Sequence, residues 1–279
     1  NSYNKVYTNS ISNVNMAISF VGSGAVGAFD VGNDIGGSSV LTGNTISNWG
    51  NAAAVSVYQS VTVSVYGIFM NQQNNENVSF NTITSASVSV ATSTFGGIFK
   101  NYSVTPPSTA TVSNYNNNTV ILTNTGATTS QMTGISTQGM TALSTATVNI
   151  NNNVLKDSSS SNASATSATY VGILSTVAPG TLNITGNTIR NITSTSTSGG
   201  FIGIQQQTNG VVSVLNINDN LIGDTTAGAI TFSKATSGSV TGISITSTGA
   251  ASTCALSILR NDFRGFVHSI AGSSPHTYI

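Results

Sequence analysis

A phrase that reads Leu182-Asn183-Ile184-Thr185-Gly186-Asn187-Thr188-Ile189 returns along the whole chain with its chemistry intact. Val148-x-Ile150-x-x-Asn153-x-Leu155, Leu215-x-Ile217-x-x-Asn220-x-Ile222 and Leu256-x-Ile258-x-x-Asn261-x-Phe263 are the same phrase. Looser copies end in Asn9-x-Ile11, Asn44-x-Ile46, Asn81-x-Ile83 and Asn118-x-Val120. Successive Asn residues stand roughly 33–41 positions apart, a period that signals a solenoid or array. Such a repeat cannot bury a core alone, so the whole span 1–279 reads as one stacked solenoid segment.

Aligned on that Asn, the residue three before it is apolar in every copy: Val6, Leu41, Val78, Tyr115, Ile150, Ile184, Ile217 and Ile258. The residue two after it is apolar as well, from Ile11 and Ile46 through Leu155 and Ile189 to Phe263. Between copies a second landmark recurs, Gly67-Ile68-Phe69, Gly97-Ile98-Phe99, Gly134-Ile135, Gly172-Ile173-Leu174, Gly203-Ile204 and Gly242-Ile243, with Gly27-Ala28-Phe29 as a weaker first member. Val, Ile and Thr alternate with small polar residues for most of the chain, the period-2 pattern of strands. Each unit therefore holds at least two short strands and a bend. The Ser/Thr/Gly-rich remainder, as in residues 85–94, 158–169 and 194–200, reads as insertions, some of them strand extensions such as Val61-Thr62-Val63. Pro106-Pro107 marks a loop that cannot lie in a central strand.

A hairpin meander would need tight turn pairs between strands, and Asn209-Gly210 is the one clear case. Identical residues at a fixed period suit parallel stacking instead, each column becoming a ladder at about 4.8 Å per coil. At the bends a recurring Asn tolerates the left-handed conformation, and its amide reaches the Asn one coil away. The expected ladder is Asn44, Asn81, Asn118, Asn153, Asn187, Asn220 and Asn261, in an all-β parallel β-helix of about seven coils. The V-x-I-x-x-N-x-I phrase resembles the repeat of pectate-lyase-like proteins, which implies a right-handed coil. The Asn/Ser/Thr-rich, charge-poor version is more similar to repeat regions of large secreted bacterial surface proteins such as adhesins. That resemblance implies an extracellular or cell-surface setting and says little about activity, since the fold hosts many functions.

Only 5% of the residues are charged and the net charge is zero. Nucleic acid, which is held by cations that neutralise phosphates, is therefore an unsuitable partner. No apolar run is long enough to span a bilayer as a helix. The acidic residues Asp30, Asp34, Glu76, Asp157, Asp219, Asp224 and Asp262 fall on different columns, so no catalytic residue and no lyase-like cluster is assigned. Lys156, Arg190 and Arg264 share one column with Asp157 and Asp224 one step further, which predicts that Arg190 pairs with both acids as surface charge compensation. His268 and His276 lack further ligands at metal spacing and read as ordinary solvated histidines, so neither metal nor cofactor is expected. Cys254, alone and beside core positions, reads as a small buried hydrophobe.

The Gly-Ile strand carries the strongest hint of a surface. If the Ile points inward, strict alternation sends Phe29, Phe69, Phe99 and Leu174 outward, together with Phe95, Tyr170 and Phe201 two residues before the glycine. These residues form a candidate interface or glycan groove. Its cover would be the chain's own loops, a neighbouring subunit or another part of a longer chain, or a glycan. Neither end of the sequence looks like a polar cap, so the expectation is an excerpt of a longer chain, or subunits that associate with themselves end to end or laterally. The expected role is a non-catalytic stalk, adhesin or filament body; the alternative is a carbohydrate-binding or polysaccharide-lyase-like β-helix that uses the aromatic groove.

Overall fold

The computed structural model describes residues 2–23, 29–50, 55–57, 61–63, 65–88, 95–102, 110–125, 131–139, 143–160, 169–208, 210, 212–247, 254–270 and 275–277. They form a right-handed parallel β-helix with three long sheets, in which strand order follows the coils. The first sheet stacks eight strands from Lys5–Val6 to Ala255–Leu259. The second runs from Ser10–Ser12 to Asp262–Arg264 and carries Ile230–Phe232 and Phe266–His268 on its flank. The third runs from Ile18–Val21 to His276–Thr277. Val61–Val63 pairs antiparallel with Val55–Val57 in a small ribbon between the second and third strands of its coil. Pro106-Pro107, Asn209 and Gly27-Ala28 lie outside the described residues.

The apolar column three before the ladder Asn is a true register column. Val78, Tyr115, Ile150, Ile184 and Ile217 pair strand to strand and are all buried. One copy departs. Leu41 is 84% exposed, and the residue between Val6 and Val78 in the sheet is Ile35. The chain leaves the coil after Ile35, where Gly36 and Gly37 take φ of +100° and +72°. The Thr42 hydroxyl, shared between the Gly36 and Ser39 carbonyl oxygens at 2.7 and 2.8 Å, donates to them and accepts from the Ser39 N–H at 3.3 Å, closing the excursion. Asn44 rejoins the ladder beyond it.

That ladder is continuous from Asn9 to Asn261. Asn153 shows the pattern: its Oδ1 accepts from the Asn118 backbone N–H at 2.9 Å and from Asn118 Nδ2 at 3.1 Å. Its Nδ2 donates to Asn187 Oδ1 at 2.9 Å and to the Tyr115 carbonyl at 2.8 Å. Every amide lone pair and proton is thus used in the core, which is what a buried amide requires. The left-handed residue is not the ladder Asn but the one before it: Thr8, Phe80, Asn117, Asn152, Asp219 and Arg260 have φ between +54° and +61°, and Gly186 has +67°. Turning the corner one residue early leaves the following amide aimed along the axis.

The glycines of the Gly-Ile landmark serve a different need. A Cβ on Gly172 would lie 2.5 Å from the Gly203 carbonyl oxygen and 2.6 Å from Ile189 Cδ1. Gly97 and Gly203 would meet Val120 and Ile222 in the same way. The third sheet therefore presses its glycines against the apolar column of the second sheet, across a core only one side chain thick.

Candidate functional site

Those inward glycines overturn the strict alternation expected of the third sheet. In Phe95–Asn101 the ladder pairs Gly96 with Thr133 and Ile98 with Ile135, and skips the glycine between them. Gly97 and Ile98 both face the core, so the pleat loses one step and everything before the glycine reverses. Phe95, Tyr170 and Phe201 consequently sit inside the core cluster, where Phe95 packs on Trp49 at 5.2 Å and Tyr170 stacks on Phe201 at 5.9 Å. They are core, not groove.

Phe29, Phe69 and Leu174 are buried but lie outside the core cluster, and Phe99 is half-buried. Phe69 and Phe99 face outward with Tyr66, a residue the sequence reading did not single out. Tyr66 stacks on Phe99 at 4.5 Å and on Phe69 at 6.0 Å, and the two Phe rings lie nearly parallel at 5.6 Å. Tyr66 and Phe69 keep only 4% and 3% of their surface within this single chain, so the chain itself covers most of the stack. Further along the same face the column continues as Ser136, Leu174 and Gln205, and the aromatic character ends.

Sequence reasoning missed a second assembly entirely. Glu76 and Lys100 are both 0% exposed, with Nζ 3.6 Å from Oε1. Tyr102 donates to the same Oε1 at 3.3 Å, and Tyr115 donates to it as well. Lys100 also donates to the Gln73 carbonyl and lies 4.2 Å from the centroid of the Tyr102 ring. Glu76 Oε2 is buried with no hydrogen-bond partner. Burial pulls the Lys100 ammonium down to about 8 against the opposing pull of Glu76, and burial, then the Glu76 charge, pushes the Tyr102 and Tyr115 phenols well up. A signal was present. Register places Glu76 in one column with Asn33, Ser113, Val148 and Leu182, so the first apolar position of the phrase is polar in the early coils.

The surface charges pair as neighbours. Arg190 bonds Asp224 at 3.1 Å. Asp157 instead meets Lys156 at 3.3 Å and accepts from Asn191 Nδ2 at 2.9 Å, so the expected Asp157–Arg190 pair is replaced. Asp157 itself has φ of +50°, a bulge conformation that turns its carboxylate toward Asn191. Arg260 pairs with Asp219, and Arg264 with Asp262, each at 2.5 Å. Cys254 is exposed rather than buried, because it precedes the outermost strand of its sheet, whose Leu256 and Leu259 are exposed too. His268 is half-buried between Phe232 and His276, at ring distances of 4.7 and 4.8 Å, and burial lowers its pKa. Among the described residues, no three His, Cys, Asp or Glu side chains converge to hold a metal ion.

No family model, no curated protein and no solved structure matches the chain. Function therefore rests on geometry.

Proposed function

We propose that this chain is a length of rod in a secreted or cell-surface protein: a stalk, adhesin shaft or filament body without catalytic duty. The observation that carries this reading is the unbroken axial bonding. Each coil is tied to the next by three parallel sheets and by the Asn ladder, so a pull or a bend along the axis is resisted at every step. The closure of the Tyr66–Phe69–Phe99 stack by the chain itself adds support, since a glycan needs open ring faces. The partners of such a rod are further coils of a longer chain or other copies of itself, joined end to end or side by side.

The test is a denaturing gel for chain mass beside electron microscopy of undenatured native particles. Rods, either as one giant chain or as filaments of short ones, support the proposal. Small discrete monomers would overturn it and favour the carbohydrate-active alternative, for which Phe99, the half-buried member of the stack, is the contact to mutate.

A further inference from the structure

Two of the few ionisable side chains in a chain with seven basic and seven acidic residues sit where solvation is lost completely. A buried ion pair is commonly no more stable than an apolar pair of the same volume. Elsewhere these two columns hold such residues, Val148 and Leu182 in one and Met70 in the other. Ionic stabilisation is thus a poor account of the pairing, and the surrounding groups point to chemistry instead.

We propose that Glu76 and Lys100 condense into an intramolecular amide that staples one coil of the solenoid shut. Proton transfer from the ammonium to the carboxylate frees the Nζ lone pair and leaves a carboxyl group that the amine can attack. The Nζ lone pair attacks Cδ, and a C–N bond forms. The Cδ–Oε2 bond breaks, and Oε2 leaves as water with the two protons that Nζ gives up. No oxidant or co-reactant is needed. Tyr102 and Tyr115 converge on Oε1, the oxygen on which charge builds in the tetrahedral intermediate, and act there as preorganised donors. The departing Oε2 is the carboxyl oxygen that nothing holds. The Gln73 carbonyl accepts from Nζ and positions the amine. The product carries no charge, so it removes the buried ions that make the unlinked core costly.

The experiment is an intact mass of the chain, kept folded at neutral pH and then fully unfolded, followed by trypsin digestion of the unfolded material. A linked chain is lighter than its sequence by one water, resists cleavage after Lys100, and yields residues 6–156 as one peptide lacking one water, which chymotrypsin then cuts to a branched peptide joining Glu76 to Lys100. Lys100→Arg and Glu76→Ala chains keep the full sequence mass. Full mass in the wild-type chain overturns the proposal, and so does a lost water with normal cleavage after Lys100, which places the dehydration elsewhere. Both decisive readings come from the wild-type chain, so they stand even where a variant fails to fold.

Discussion

Asn152 and Asn153 are neighbours with unrelated duties, and substitution separates them. Asn152 is exposed with φ of +56°, so Asn152→Ala meets the backbone penalty of a left-handed residue, about 1 kcal/mol, while Asn152→Gly is close to neutral. Asn153→Ala strips the acceptor from two Asn118 groups and the donor from the Asn187 oxygen and the Tyr115 carbonyl, all buried. Unmet polar groups of that kind cost roughly 1–3 kcal/mol each, so the expected loss is about 3 kcal/mol or more, read from urea midpoints. Equal losses at the two positions would contradict the assigned roles. Lys100 supplies a pH signature as long as its amine is free. Its pKa is about 8 in the fold against 10.5 unfolded, so below pH 8 both states hold the proton and the fold bears the cost of burying it. Between pH 8 and 10 only the unfolded chain is fully protonated there, and stability rises with pH. Above pH 10 the raised Tyr102 and Tyr115 phenols reverse the trend, because the unfolded chain then ionises first. Urea midpoints across pH 8–10 should rise for the unlinked chain and stay flat for Lys100→Met.

At the level of the strand, the glycine of each Gly-Ile pair decides which side chains are core. Gly172→Ala drives a methyl group into the Gly203 carbonyl and Ile189, and overpacking of this kind costs about 1–3 kcal/mol. The same substitution at half-buried Gly228, whose φ is +87° and where a Cβ would meet only Thr231 Oγ1 at 3.3 Å, tests chiefly backbone strain and gives a reference for thermal melts. This strand also marks the limit of what was legible beforehand. The Asn ladder and the Ile columns could be read because their spacing survives variation in loop length. The inward turn of Phe95, Tyr170 and Phe201 could not, because a period-2 rule has no term for a lost pleat. Leu41 misled because an excursion after Ile35 mimics the apolar position by coincidence of spacing. Glu76 and Lys100 stand in columns that hold Asn, Ser, Val and Leu in one case and Met and Thr in the other, so the polar early coils hint at Glu76 while its meeting with Lys100 depends on coil geometry.

For the molecule as a whole, coils behave as interchangeable units. Asn153 and Asn187 are 34 residues apart, and removing residues 154–187 joins Asn153 to Thr188 in the register that Asn187 held. The shortened chain should fold, with the same circular dichroism per residue and a rod shorter by about 4.8 Å in small-angle scattering. Removing one residue more sends the following Ile column to the wrong face and should abolish folding. The ladder carries one more consequence. From Asn9 to Asn220 each amide gives one Nδ2 proton to the Asn of the next coil, and from Asn44 to Asn261 each oxygen accepts from the coil before, while the second Nδ2 proton is spent on a backbone carbonyl. Their dipoles therefore add, as peptide dipoles do in a helix, and the rod has an electrical head and tail. Whatever extends the column past Asn261 must offer an oxygen, and whatever extends it before Asn9 must offer an N–H. Two heads cannot meet, so growth of such a rod is polar, always head to tail.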